Sequence, residues 1–151
     1  MENRKMGSTL TNFLNHVVFS TKRRSSLITS ETKDQLYPYL GGIIKGEGGI
    51  PMSIGGTADH VHILLKSPPT LSFSNLMQKV KGNSSKWLGE QVWYQGAFSW
   101  QRGYAAFSVS QSMAEKVDAY IRRQEEHHRK VTFEEELIEI LEKHGVPYDK
   151  R

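Results

Sequence analysis

Residues 58–65 of this chain are Ala-Asp-His-Val-His-Ile-Leu-Leu, and this run limits the possible folds more than any other. Its apolar and β-branched residues favour a β-strand over residues 60–66. Successive side chains of a strand point to opposite faces, so His60 and His62 share one face of the sheet. Two imidazoles side by side on a rigid strand form half of a metal site. The alternative is two ordinary strand histidines whose ring nitrogens find backbone or water partners.

The size and composition suit a small globular protein. The 151 residues fit one compact domain, residues 1–151. No apolar run approaches the ~18 residues of a membrane-spanning helix. The polar residues 1–9 lack the apolar stretch of a signal peptide. The chain has no cysteine, which excludes disulfides, thiolate zinc sites and a cysteine nucleophile. We therefore expect a cytoplasmic protein with no membrane association.

Charge is unevenly distributed along the chain, which has a formal net charge of +4 and an isoelectric point near 9.3. Acidic residues collect in the last predicted helix, from Glu134 onward. Basic residues cluster at residues 22–24, 79–86, 102, 122–123 and 129–130. A basic body with an acidic tail helix suits a protein that binds a polyanion, although many soluble proteins carry similar patches.

The spacing of apolar residues predicts four strands and four helices. The predicted strands cover residues 10–21, 51–56, 60–66 and 97–108, the last bent at Gly103. The predicted helices begin at Ser30, near Phe73, at Ser112 and at Thr132, and they end at residues 46–49, near Leu88, near Lys130 and near Gly145. Pro38 falls inside the first helix and is expected to kink it or delay its start.

The order of these elements predicts the fold class. The order β-α-β-β-α-β, followed by helices, is that of the α+β, ferredoxin-like split βαβ arrangement. We therefore expect an antiparallel sheet with helices on one face and additional C-terminal helices. Since this fold serves many functions, it does not choose among them.

A second candidate site lies in the third predicted helix. Tyr120 and Gln124 are four residues apart and therefore share one helix face, with Arg122 and Arg123 between them. A tyrosine in this basic setting could lie beside a phosphate group. The alternative is a half-buried tyrosine that packs on the sheet, with Gln124 as a surface residue.

Four segments carry a resemblance to a known family. Residues 58–64, 81–88, 100–110 and 120–128 resemble, in this order, the single-tyrosine transposases of small bacterial insertion sequences. These enzymes belong to the HUH nuclease superfamily, named for histidine-hydrophobic-histidine. The sequence departs from the family pattern at Ala105, where a glycine is expected, and this affects only local backbone geometry.

The resemblance implies a role for each candidate residue. His60, His62 and Gln124 would be metal ligands. Tyr120, on the C-terminal helices, would be the catalytic nucleophile that attacks single-stranded DNA and forms a 5′-phosphotyrosine. The family works as homodimers on DNA hairpins at the element ends. Whether Tyr120 acts in its own subunit or in its partner stays open.

This chemistry suits the residue types. The phenol of a tyrosine has an ordinary pKa of about 10, so attack on phosphate needs a base or a cation. A divalent metal, Mg²⁺ or Mn²⁺, would act as a Lewis acid on the phosphate. The residues expected to hold the DNA backbone are Lys79, Lys81, Lys86, Arg102, Arg122 and Arg123. Bases could stack on Trp87, Trp93, Trp100 or Tyr104, although core packing is favoured for Trp100. His127 and His128 are expected to be surface or DNA-facing groups.

Two other functions remain open at the level of the sequence. A ferredoxin-like sheet with exposed aromatic residues can be a non-catalytic nucleic-acid-binding module. A host-retained relative of the transposases, which processes chromosomal hairpin repeats, would carry identical catalytic residues. A metal hydrolase of small molecules is the least favoured because no carboxylate motif accompanies the histidines.

Overall fold

The structure is a computed structural model and describes residues 9–149. The polar segment that was examined for a signal peptide lies outside the described residues, apart from Thr9. The strands are β1 (Leu14–Ser20), β2 (Ile50–Gly56), β3 (His60–Lys66) and β4 (Ala105–Ser108). The helices are α1 (Ser30–Gly46), α2 (Phe73–Gly89), α3 (Ala114–Arg122), α4 (Gln124–His127) and α5 (Phe133–Lys143). Single turns of 3₁₀ helix lie at Lys22–Arg24 and Gln111–Met113.

The four strands form one antiparallel sheet in the order β2-β3-β1-β4. This is the order that the ferredoxin-like prediction requires, and the predicted α+β class is confirmed. β3 lies inside the sheet, where His62 is opposite Val18 of β1 and Gly55 of β2. The strand that carries the two histidines is therefore held from both sides.

Each face of the sheet is covered by helices. Val61, Ile63 and Leu65 of β3 point to one face and pack with residues of α1 and α2 in the main core. Leu64 points to the opposite face and packs against Ile121 of α3 in a smaller core. Because side chains alternate along a strand, His60 and His62 point to this second face, toward the C-terminal helices.

The first predicted helix is correct in its start and its end. Thr29 is its N-cap, and the Thr29 hydroxyl accepts a hydrogen bond from the backbone N–H of Thr32. This satisfies one of the N–H groups that have no partner within the helix. Pro38 lies inside α1 on its exposed side and does not delay its start.

The predicted first and fourth strands are too long. The first begins at Leu14 rather than at residue 10. The fourth is reduced to β4, while Trp100 makes only an isolated bridge to Thr21. The ammonium of Lys81 donates to the carbonyl oxygens of Gln101 and Gly103, and Gly103 has a φ of +82°. These carbonyls bond to a side chain rather than to a neighbouring strand, so the ladder is interrupted between the bridge and β4.

The third predicted helix is not continuous. A single helix from residue 112 to about residue 130 was expected, but α3 ends at Arg122 and a single-turn helix, α4, begins at Gln124. Arg123 lies between them with φ −101° and ψ 19°, outside the helical range. The break changes the direction of the chain after Tyr120. The buried hydrogen bonds of Gln124, described below, offset the free-energy cost of interrupting the helix.

The fourth predicted helix is correct, and a reciprocal cap defines its start. The Thr132 hydroxyl accepts from the backbone N–H of Glu135, and the Glu135 carboxylate accepts from the backbone N–H of Thr132.

Within residues 9–149, no helix is both long enough and apolar enough to cross a membrane.

Candidate metal centre

The two strand histidines are completely buried. His60 and His62 have no exposed surface, because Phe133 and His128 pack on His60 while His16 and Tyr120 of α3 pack on His62, where α3 lies close to the sheet. Gly55, the neighbour of His62 on β2, permits this approach: a Cβ atom at this position would overlap the backbone carbonyl of Ile121. The close contact brings the residue before Ile121, which is Tyr120, to the level of the histidines.

Four potential ligand atoms converge beside the sheet. They belong to His60, His62, His128 and Glu136, and all lie within 4.8 Å of one another. One carboxylate oxygen of Glu136 lies 3.0 Å from Nε2 of His62, 3.0 Å from Nε2 of His128 and 3.4 Å from Nε2 of His60. We call these four residues, together with Gln124, the histidine cluster.

Gln124, which the resemblance implied as a metal ligand, lies inside the cluster. Its Oε1 is 3.0 Å from Nε2 of His60 and 3.0 Å from Nε2 of His128. Its amide N–H donates to Glu136 at 2.9 Å, and the residue is 1% exposed. The structure therefore brings His60, His62 and Gln124 together from β3 and α4.

Tyr120 lies at the edge of the same cluster. Its hydroxyl donates a hydrogen bond to the Glu136 carboxylate, and its ring meets the His62 ring edge-on with centroids 5.7 Å apart. The tyrosine and both strand histidines belong to one chain. A single described chain is thus sufficient to assemble all four residues that were predicted for the site.

The prediction for His128 is wrong. It was expected at the surface or facing DNA, but its side chain is 10% exposed and points into the cluster. Its neighbour His127 is more accessible, with 28% exposure, and its Nε2 lies 3.5 Å from Glu136. His128 points inward because it lies four residues after the buried Gln124, one helical turn further on, and its Nε2 is 3.0 Å from Oε1 of Gln124.

Glu136 is the member of the cluster that sequence reasoning missed. It belongs to the acidic run 134–136, which was interpreted as part of an acidic tail helix, yet only 1% of it is exposed. A signal was available. Helical spacing places Glu136 on the same stripe as Phe133 and Ile140, and Phe133 stacks on the His60 ring with centroids 4.3 Å apart. A carboxylate on the apolar stripe of a helix calls for a buried partner.

The basic residues expected to hold DNA do not form one surface. Lys79, Lys81 and Lys86 belong to α2, which packs on the face of the sheet opposite the histidine cluster. Lys79 pairs with Glu47 at 2.8 Å. Exposed Arg123, in contrast, lines a surface cavity of about 490 Å³ together with Tyr120.

Of the other residues predicted to contact DNA, the arginines are exposed and the tryptophans pack on aromatic side chains. Arg122 is exposed and pairs with Asp118 at 3.0 Å, and Arg102 is exposed in the irregular segment before β4. Trp100 is 8% exposed and packs on Phe19, so core packing is confirmed for it. Trp87 stacks on Tyr39 with ring centroids 4.2 Å apart.

Comparison with known proteins identifies the family. Residues 9–124 match the family described as "Transposase IS200 like", which covers well over half of the chain. The chain belongs to this family. The transposases for insertion sequence element IS200 of Salmonella typhimurium and Salmonella typhi are each 32% identical to it over 114 residues, covering 72% of this chain and 74% of theirs.

Solved structures share the fold of this IS200-like transposase. A Deinococcus radiodurans protein described as a transposase has a TM-score of 0.59 and 23% identity, with 82% of this chain and 98% of that chain covered. A REP-associated tyrosine transposase bound to a REP hairpin has a TM-score of 0.62 and 14% identity, with 87% and 76% covered. His128 and Glu136 lie beyond residue 124, where the family match ends.

The buried charges of this IS200-like transposase stabilise one another. Burial alone would raise the pKa of Glu136, but hydrogen bonds with His60 and His62 hold it well below its usual range. Burial alone would lower the pKa of His60, but hydrogen bonds to Asp59, Glu136 and Gln124 raise it to about 9. Burial lowers the pKa of His62. Without a cation, the cluster is therefore a protonated His60 beside a carboxylate.

Burial and the adjacent Glu136 carboxylate raise the pKa of Tyr120 above its ordinary value. The phenol is thus protonated in this arrangement. A positive charge near Glu136 would oppose both effects, because it would stabilise the phenolate and neutralise the carboxylate.

The donor set of the cluster fits a divalent cation. It offers three imidazole nitrogens, a carboxylate oxygen and an amide oxygen in a buried position. Imidazole nitrogen suits Mn²⁺ and later first-row metals, while carboxylate and amide oxygens suit Mg²⁺ and Mn²⁺. His60, His62, His128 and Glu136 thus form a possible metal site, and Gln124 is placed to add to it.

Proposed function

We propose that this IS200-like transposase nicks and rejoins single-stranded DNA at hairpin-marked ends through a 5′-phosphotyrosine intermediate. The observation that carries the proposal is the position of Tyr120, whose hydroxyl bonds to Glu136 at the edge of the histidine cluster. A nucleophile beside a set of metal donors is a pairing that suits phosphoryl transfer to a tyrosine. The proposal explains why both features occur in one buried site.

The proposed step conserves the phosphodiester linkage. The Tyr120 oxygen forms a bond to phosphorus while the bond from phosphorus to the 3′ oxygen breaks, leaving a free 3′-hydroxyl. The phenol loses a proton, for which Glu136 is the hydrogen-bond acceptor at hand, and the leaving 3′ oxygen gains one. Since one phosphodiester replaces another, rejoining needs no nucleotide cofactor. We assign His60, His62 and Gln124 as ligands of Mg²⁺ or Mn²⁺, which would supply Lewis-acid stabilisation of the phosphate.

The partner and setting follow from the same proposal. The solved REP-associated relative is bound to a REP hairpin, which supports a DNA hairpin as the substrate here. We propose a homodimer that acts on DNA in the bacterial cytoplasm, at the nucleoid. Because Tyr120 already reaches the histidines of its own chain, such a dimer would not need to exchange the tyrosine helix to assemble the site.

Covalent capture of DNA tests the proposal. The protein is incubated with Mn²⁺ and a 3′-labelled single strand that contains the hairpin flanking its own gene, and the products are resolved on a denaturing gel. We expect a protein–DNA adduct from the native chain, no adduct from Tyr120→Phe, and hairpin affinity within about twofold for both.

Tyr37→Phe is the matched control, because Tyr37 is a partly buried tyrosine that packs on the main core away from the cluster. It is expected to form the adduct normally. Adduct formation by Tyr120→Phe would refute the assignment of the nucleophile. Hairpin binding without an adduct, unaffected by a chelator, would instead favour the non-catalytic binding module.

A further inference from the structure

The second ring nitrogen of each histidine in the cluster is also held. Nδ1 of His60 lies 2.8 Å from a carboxylate oxygen of Asp59. Nδ1 of His128 lies 2.6 Å from the backbone carbonyl oxygen of Val131. Carboxylates and carbonyls only accept hydrogen bonds, so Nδ1 of each of these two rings carries a proton and donates it. The Nε2 atoms are the ones that face the centre of the cluster.

His62 has the same arrangement with a different partner. Its Nδ1 lies 2.7 Å from Nε2 of His16, which is 6% exposed and belongs to the neighbouring strand β1. When Nδ1 of His62 donates to His16, Nε2 of His62 is free to bind a cation. The three histidines then share one orientation, although they come from β3 and from the end of α4.

The supporting residues are themselves fixed. Asp59 precedes β3; its backbone carbonyl accepts from the N–H of Thr21 at 2.8 Å, and its carboxylate accepts from the hydroxyl of Thr57 at 2.9 Å. His16 is paired in the sheet opposite Leu64 and Phe107. A shift of either side chain would require the sheet or its turn to move.

On the basis of the proposed metal-dependent function, we infer that Asp59 and His16 are positioning residues of the cation site. They hold a proton on Nδ1 of His60 and of His62, so that Nε2 of each ring faces the common centre and is the atom that a cation binds after displacing any proton there. Outer partners of this kind orient metal-binding imidazoles and typically contribute 10–100-fold in affinity.

Cation affinity measures the positioning directly. Mn²⁺ is titrated into the full chain by isothermal calorimetry. Asp59→Ala and His16→Phe remove the acceptor, and each is expected to weaken binding about 10–100-fold. Asp59→Asn and His16→Gln keep an acceptor oxygen, so each is expected to lose less than its partner variant. Exposed Asp34→Asn and His144→Gln are the controls and are expected to bind as the native chain does.

The position of the ring proton gives a readout that a purely structural role would not change. With Mg²⁺ bound, ¹⁵N NMR of the side chains is expected to show His62 protonated on Nδ1 in the native chain. In His16→Phe, the Nε2-protonated form is expected to appear while the backbone spectrum stays folded. An unchanged His62 tautomer in that variant, or native Mn²⁺ affinity in both acceptor-less variants, would overturn the inference.

The two proposals fail in different ways. If the native chain binds Mn²⁺ with this graded loss but forms no DNA adduct, the cation site stands and the strand-transfer function does not. If the adduct forms while Mn²⁺ affinity is the same in all variants, the function stands and Asp59 and His16 are not positioning residues. If the native chain binds no Mn²⁺, the positioning inference is overturned.

Discussion

At the scale of single residues, the site depends on one carboxylate. Glu136 contacts both strand histidines, the amide of Gln124 and the hydroxyl of Tyr120, and all but 1% of it is buried. A buried carboxylate is unfavourable alone and tolerated when every lone pair has a donor. The same residue therefore links the predicted metal ligands to the predicted nucleophile.

The buried histidines make stability depend on pH. Burial and the neighbouring His62 lower the pKa of His16 to about 3, well below the ordinary value of 6.5. Below pH 6.5 the unfolded chain binds a proton that the folded chain does not. The free energy of unfolding therefore decreases from pH 6.5 toward 3, by up to about 1.4 kcal/mol per unit. Urea titrations at pH 6.5, 5.5 and 4.5 measure this slope.

His60 affects the free energy of unfolding above pH 6.5 rather than below it. Its pKa is raised to about 9, so its stabilising contribution is present below pH 6.5 and is lost between 6.5 and 9. Stability without metal is thus expected to be greatest near pH 6.5. His16→Gln is expected to reduce the acid slope and leave the alkaline decline in place. An acid slope as steep in His16→Gln as in the native chain would show that His16 is not its source.

At the scale of elements, the approach of α3 to the sheet decides whether Tyr120 reaches the cluster. The contact is between the backbones at Gly55 and Ile121. A side chain at position 55 would overlap the carbonyl oxygen of Ile121. A methyl group here cannot be accommodated by a rotamer change, so the helix or the strand must move. The distance between the tyrosine and the histidines is therefore set by a glycine on a strand that bears neither.

Gly55→Ala tests this contact. We expect the free energy of unfolding to decrease by about 1–3 kcal/mol, as for overpacked sites. The yield of the DNA adduct is expected to decrease because α3 moves away from β3. The matched control is Gly42→Ala on α1, where an added Cβ meets nothing within 4 Å. It is expected to be neutral or slightly stabilising, since alanine favours helix. Equal effects of the two substitutions would contradict the proposed contact.

At the scale of the whole molecule, the sheet separates two basic regions. Lys79, Lys81 and Lys86 lie on the α2 side, while Tyr120 and Arg123 lie on the side of the C-terminal helices. A DNA strand that reaches Tyr120 passes first over the side of the C-terminal helices. We therefore expect phosphates near the cleavage point to contact Arg123 rather than the lysines.

Salt dependence of single-stranded DNA binding distinguishes the two regions. Arg123→Ala is expected to reduce the slope of log affinity against log salt concentration by about 0.7, the value for one phosphate contact on a single strand. Lys79→Ala, whose ammonium pairs with Glu47, is expected to change it much less. Fluorescence anisotropy at several salt concentrations measures both. A larger change in Lys79→Ala would place the DNA on the α2 side.

Local patterns were sufficient for much of the fold and for half of the site. Alternation along a strand predicts that His60 and His62 share a face, and local start signals predict where α1 and α5 begin. Both depend only on neighbours in the chain. The lengths of the first and fourth strands were not predictable in this way, because a strand ends where its partner ends.

The sequence by itself determined the order of the elements, the histidine pair on β3 and the family motifs through Gln124. The tertiary structure alone decided that His128 and Glu136 join them, that Tyr120 reaches the histidines of its own chain, and that the α2 lysines lie on the other face. The reason is physical. The break at Arg123 and the packing of α5 are set by the summed contacts of residues far apart in sequence. Only packing tells a buried carboxylate from a solvated one in the acidic run 134–136.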